Sequence, residues 1–226
     1  MKLLIVVASK NEIAPFFELY NGSRFIQNPL LPFLFSGKIL QHEVDVLETG
    51  YGIFQTSYKL AKVLTQQKYH LALKLSLCNS YKAEVAVGNV LNIINEKPGD
   101  YGMSDGNEWK DLYDLQLLNT ADVPHVRNGF INMTNSYMNV FMPFKKAVGV
   151  TVNNYADTNI FGIRKEKYKA DCETGDGLGF AYTCLFEKQT FYHIAFVERN
   201  LQSGEFSHTA AISIMNEVLI DLIQKL

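Results

Sequence analysis

Residues 168–200 read YKADCETGDGLGFAYTCLFEKQTFYHIAFVERN, and the order of their parts decides the fold class. A glycine-rich turn carries Glu173 and Asp176, an apolar helical run follows it, and a short apolar strand then ends in Glu198, Arg199 and Asn200. This is the pattern of an α/β sheet, with acidic groups from two elements converging at its open end. Carboxylates placed there suit vicinal hydroxyls, because each ionised oxygen accepts hydrogen bonds that water would otherwise make. The same residues also suit a solvated turn at a helix start.

Working outward, LLIVVA at Leu3–Ala8 has the continuous apolar character of a central strand covered on both faces. It leads into SKNEIAPFFELY, which puts Ser9 and Glu12 at the carboxyl edge of that strand, where open α/β sheets bind ligands. Glu12 also fits as a first-turn glutamate favoured by the helix dipole. FLFSGKILQHEVDVLETG, from Phe33 to Gly50, predicts a hairpin. FQTSYKLAKVLTQQ predicts a helix with Tyr58, Ala61 and Leu64 on one face, and YHLALKLSLC a strand after it. VAVGNVLNIINE is a further strand interrupted by glycine, and the polar stretch from Pro98 to Thr120 is expected to be a surface excursion with a short helix. Residues Ala121 to Pro143 are expected to be loop. KKAVGVTVNN returns to a strand ending at Asn153 and Asn154, and IFGIRKEKY is short and amphipathic. The last segment spaces Ile212, Met215, Val218, Leu219 and Leu222 as a helix lying on the sheet.

The 226 residues offer no point of division, so residues 1–226 are expected to be a single domain. A net charge of -2 argues against a general electrostatic grip on nucleic acid or anionic lipid. The apolar run at the N-terminus is too short for a membrane span. Cys78, Cys172 and Cys184 lack a metal-ligand spacing and lie mostly in apolar sequence, which points to reduced thiols and a cytoplasmic protein.

Five stretches in order, MKLLIVVASKNEIAPF, LETGYGIFQTSYKLAKVL, VGNVLNIINEKPGDYGMSDG, GVTVN and ETGDG, make the chain resemble the nucleoside phosphorylase and nucleosidase superfamily. GDYGMSDG favours the futalosine hydrolases over the methylthioadenosine/S-adenosylhomocysteine nucleosidases. The resemblance implies an α/β fold of three layers, with a twisted mixed central sheet flanked by helices. It implies hydrolysis of the N-glycosidic bond of a purine nucleoside, of futalosine type as in menaquinone biosynthesis. It implies no metal or organic cofactor, a small-molecule nucleoside as partner, and assembly into a homo-oligomer, a dimer or higher.

Through the resemblance, Glu12 takes the place of the water-activating glutamate and Asp176 that of the carboxylate on the ribose hydroxyls. Aspartate stands where the motif usually has glutamate, which shortens the reach by roughly 1.5 Å. Glu173 fills the motif's first acidic place or supports the helix start. Asn153 lies where the family contacts the base, or caps its strand. Ser9 belongs to the substrate edge. The donor to the departing base falls on Glu198 or, with a shift of one residue, on Asn200, while Arg199 stands in for a lost arginine. KLSLCNSY at Lys74–Tyr81 replaces a glycine-rich turn, so Leu75, Leu77 and Cys78 are expected to reshape the pocket. These departures keep open a non-catalytic homologue that binds nucleosides or serves in assembly.

Overall fold

The structure, a computed structural model, describes residues 1–20, 25–104, 108–119, 121, 124, 129–156 and 161–226. The elements run β1 (Lys2–Val7), a 3-10 turn (Lys10–Ile13), α1 (Ala14–Leu19), β2 (Ile26–Gln27), β3 (Leu34–Ile39), β4 (His42–Glu48), α2 (Ile53–Leu64) and β5 (Leu71–Ser80). They continue through β6 (Val90–Pro98), β7 (Gly102–Ser104), β8 (Trp109–Asp111), β9 (Phe130–Ile131), α3 (Met138–Phe141) and β10 (Lys145–Thr151). The chain ends with α4 (Phe161–Tyr168), β11 (Cys172–Thr174), α5 (Gly177–Phe186), β12 (Phe191–Asn200) and α6 (His208–Lys225).

A mixed sheet organises the molecule in the order β11-β10-β6-β12-β5-β1-β4-β3-β2, with β9 on β6. β1 is parallel to both β4 and β5, and β12 is parallel to β5. β11 pairs with β10 on one side and returns antiparallel to β5 on the other. Five strands therefore close on themselves in a ring, and the sheet curls at that end.

Alternation along the central strands sends side chains to two different layers. Leu3, Ile5 and Val7 of β1, with Leu73 and Leu75 of β5, pack under Met215, Leu219 and Leu222 of α6. Leu4, Val6 and Ala72 face the other way, onto Leu60 and Val63 of α2 and Leu178, Phe180 and Cys184 of α5. Cys78, Leu91, Ile93, Ala147, Cys172, Ala195 and Val197, one or more from each strand of the ring, form a third cluster. The twisted three-layer α/β architecture expected from the sequence is present. All three cysteines are free thiols in the interior. No helix among the described residues is long and apolar enough to cross a membrane.

Some local expectations change. The buried face of α2 is Ile53, Thr56, Leu60, Val63 and Leu64, while Tyr58 is exposed; the face is rotated so that Thr56 can point inward. The described part of the Pro98–Thr120 excursion holds the β7–β8 hairpin and turns instead of a helix. The stretch from Ala121 to Pro143 contributes β9 and α3 as well as loop, because Phe130 and Phe141 bury their rings against the two main layers. Part of GDYGMSDG, at positions 105 and 106, lies outside the described residues.

Candidate active site

The carboxyl ends of β1, β5 and β12 and the turn after β11 surround a cavity of about 420 Å³. Its walls include Ala8, Glu12, Tyr51, Leu77, Asn79, Tyr155, Gly175, Asp176, Glu198 and Arg199. A crevice beyond the carboxyl ends of the strands is the usual ligand site of an open α/β sheet.

Glu12 reaches it from the 3-10 turn. Ser9 starts the turn, its hydroxyl accepting from Asn11 N–H at 3.3 Å, and Ser9 N–H donates to Glu12 Oε2 at 3.4 Å. The Tyr51 hydroxyl donates to Glu12 Oε1 at 3.4 Å. Burial pushes the Glu12 carboxyl above the ordinary range; the Lys74 charge and the Ser9 and Tyr51 hydrogen bonds oppose that rise, and Asp176 adds to it. Glu12 thus serves as a helix cap and as a cavity wall.

Asn216 of α6 fixes this turn from below, donating to Glu12 C=O at 2.9 Å and accepting from Phe16 N–H at 3.1 Å. Both are buried backbone groups with that one side chain between them. Asn216→Ala should cost about 1–3 kcal/mol of stability in urea titration; a loss below about 0.5 kcal/mol would mean that the backbone finds other partners.

Asp176 stands at the start of α5. That helix lies close on α2 because Gly179 has no side chain: a Cβ there would sit 2.7 Å from Ile53 C=O and 2.6 Å from Ser57 Oγ. The approach brings Thr56 Oγ1 to 3.0 Å from Asp176 Oδ2. The same oxygen lies 2.8 Å from Nζ of Lys74, whose side chain is fully buried on β5. The ammonium contact is a close ion pair whose direction falls short of a hydrogen bond. Asp176 Oδ1 has no partner among the described residues.

Beside Asp176, Tyr155 occupies the space that a side chain at Gly175 would need; a Cβ there would fall 1.3 Å from its hydroxyl. Burial and the charges of Asp176, Glu173, Glu198 and Glu96 raise the Tyr155 phenol well above its ordinary range, so it stays protonated. Opposite, β12 shifts register against β5 between Val197 and Arg199. Such a bulge re-aims side chains, and here both Glu198 and Arg199 line the cavity. Arg199 also packs over the Phe206 ring at 4.4 Å, and Glu198 contacts His208 Nδ1 at 2.9 Å.

Comparison with solved structures finds likeness over the whole chain. A futalosine hydrolase mutant of Helicobacter pylori strain 26695 matches with a TM-score of 0.79 and 14% identity, covering 100% of both chains. A methylthioadenosine/S-adenosylhomocysteine nucleosidase of the same species matches at 0.81 and 15%, covering 100% of this chain and 99% of that one. That of Campylobacter jejuni matches at 0.81 and 14%, covering 100% of both. The chain has the nucleoside phosphorylase/nucleosidase fold. No protein-family model matches, and neither does any curated protein.

Within this nucleosidase fold the residues singled out from sequence part into two groups. Glu12, Asp176, Glu198 and Arg199 meet at the cavity. Ser9 does not: it caps the 3-10 turn, its hydroxyl 3.4 Å from Glu48 Oε1, and borders a shallower neighbouring groove. Asn153 turns away, and both its backbone N–H and its side-chain amide bond Asp100, at 2.6 and 3.1 Å. Glu173 is fully buried and spent on Asn79 Nδ2 (2.8 Å), Ala156 N–H (2.7 Å) and the Tyr81 hydroxyl (2.7 Å). Asn200 gives its amide to the carbonyls of Lys82 and Val85 at 3.0 Å each and accepts from Gln202 and Ser203 N–H. It clamps loops and has no donor left for a ligand.

Of the three residues expected to reshape the pocket, Leu77 lines it, while Leu75 joins the α6 layer and Cys78 the strand ring. The reading from sequence missed Lys74, Thr56, Tyr51 and Tyr155. Lys74 had a signal: a lysine inside the apolar run LALKLSLC must find a buried carboxylate or leave the core. Tyr155 had none, because only folding carries it over Gly175.

Proposed function

We propose that the protein hydrolyses the N-glycosidic bond of a purine nucleoside, of futalosine type. The observation that supports this most is that Glu12 and Asp176 open onto one cavity, in a chain whose fold matches nucleosidases end to end. Glu12 directs water at the anomeric carbon and takes its proton as the bond to the base breaks. Asp176 accepts from the sugar hydroxyls, and its charge favours the oxocarbenium-like sugar. Arg199 and Glu198 face the departing base; the Arg199 guanidinium hydrogen-bonds it as negative charge builds there, and the freed base gains its proton through solvent as Glu12 gives up the one it took from water. The exposed aromatic rings of Tyr51, Phe54, Tyr58 and Phe186 favour assembly into a dimer or higher oligomer, which light scattering would test.

The test is release of free base from futalosine, methylthioadenosine, S-adenosylhomocysteine and inosine, followed by chromatography. No base from any of them, with folded protein confirmed, would count decisively against hydrolysis. Because the base form of Glu12 is the ionised one and burial raises its pKa, activity should fall as pH drops through a value above the ordinary glutamate range. The stability sign is opposite: a raised folded pKa adds stability at acidic pH, and that contribution is lost as pH rises through the folded value. A pH-rate profile with its acid limb at or below about 4.3 would reject Glu12 as the base.

A second reading, a non-catalytic nucleoside-binding or assembly homologue, draws on the Lys74 ion pair and on Tyr155 beside the sugar-binding carboxylate. It predicts a higher melting temperature with nucleosides that are not consumed.

A further inference from the structure

We propose that the sugar end of this cavity holds a nucleoside through a single hydroxyl, so that a deoxynucleoside lacking the other hydroxyl binds as well as the ribonucleoside. The inference rests on the proposed placement of the sugar at Asp176. A carboxylate that grips a vicinal diol at two points uses one oxygen for each hydroxyl. Here Oδ2 is taken from inside the protein, by Thr56 Oγ1 at 3.0 Å and Lys74 Nζ at 2.8 Å. The Lys74 side chain has no exposed surface and cannot swing out into solvent to release that oxygen. Oδ1 alone remains for the ligand among the described contacts. Tyr155 reinforces the limit: its hydroxyl lies where a Gly175 side chain would stand, beside Asp176, and fills space that a closer approach by the sugar would need. Aspartate also reaches less far than glutamate, so the sugar cannot be met at two points by the carboxylate moving outward.

The measurement is calorimetric titration of the full chain with inosine, 2′-deoxyinosine, 3′-deoxyinosine and 2′,3′-dideoxyinosine, with free-base release recorded separately. At least one of the two singly deoxygenated nucleosides should bind within about threefold of inosine, and the dideoxy compound at least about tenfold more weakly, the loss of one charge-assisted hydrogen bond. Losses of about tenfold for each single deoxygenation would overturn the proposal, as would a dideoxynucleoside that binds like inosine or an absence of binding by all four. In Thr56→Val combined with Lys74→Met, which together free Oδ2, discrimination between inosine and the tolerated deoxynucleoside should rise by about tenfold. An unchanged ratio in the folded variant would also count against it, and the wild-type series decides where the variant does not fold. Binding with the expected pattern but without base release would sink hydrolysis and leave this inference standing. Base release with two-point discrimination would do the reverse.

Discussion

Glu12→Gln should lower the rate of base release by about 10²–10⁴, the usual contribution of a positioned general base. Nucleoside affinity should stay within about threefold, because the bulk and cap position of the side chain are preserved. The Ser9 N–H contact can pass to the amide oxygen, and the Tyr51 contact, also at 3.4 Å, is the one given up. Burial disfavours the ionised carboxyl at this position, so a neutral amide relieves a cost, and the melting temperature should hold or rise. Rate and stability thus move in different directions, which separates a catalytic role from a merely structural one. Unchanged turnover would remove Glu12 from the mechanism whatever its position in the cavity.

The residues that could be placed from sequence are those whose position depends on local pattern. LLIVVA can only be a buried strand, and its end fixes where Glu12 emerges; ETGDG ahead of an apolar run fixes Asp176 at the start of α5. Residues whose role depends on partners far along the chain were harder to place. Glu173 and Asp176 look alike in sequence, yet β11 is buried between β10 and β5, so Glu173 meets Asn79 and Tyr81 while Asp176 meets the cavity. At the end of β12 the difficulty was one of register. A regular strand alternates its side chains, so Glu198 and Asn200 would share one face and Arg199 would take the other. The shift between Val197 and Arg199 breaks that parity, sends Glu198 and Arg199 to the cavity together, and turns Asn200 into a clamp on the Lys82–Val85 loop. Part of the chain's own pattern did carry one more clue. Ala72, Lys74, Ser76 and Cys78 share a face of β5, and polar groups on a buried face require polar partners: Lys74 finds Asp176, and Ser76 Oγ finds His193 Nε2 at 2.7 Å.

Lys74→Met should be the most damaging single change to stability in the site. The side chain is fully buried and its ion-pair partner among the described residues, Asp176, is 7% exposed, so the substitution leaves a carboxylate in the interior with Thr56 as its remaining hydrogen-bond partner among those residues. Breaking a buried pair in this way costs about 3–5 kcal/mol, which for a domain of this size lowers the melting temperature by roughly 10 °C. Replacing both partners tells a different story, since two buried charges pay for their desolvation in the wild type as well. Lys74→Met combined with Asp176→Leu should be more stable than Lys74→Met alone, and the double-mutant cycle should show a coupling of at least about 1 kcal/mol. The pH dependence has a definite sign. Lys74 also opposes the effect of burial on Glu12, so its loss should move the acid limb of any base-release profile to higher pH. If Lys74→Met were within about 1 kcal/mol of the wild type at neutral pH, the ion pair would be incidental.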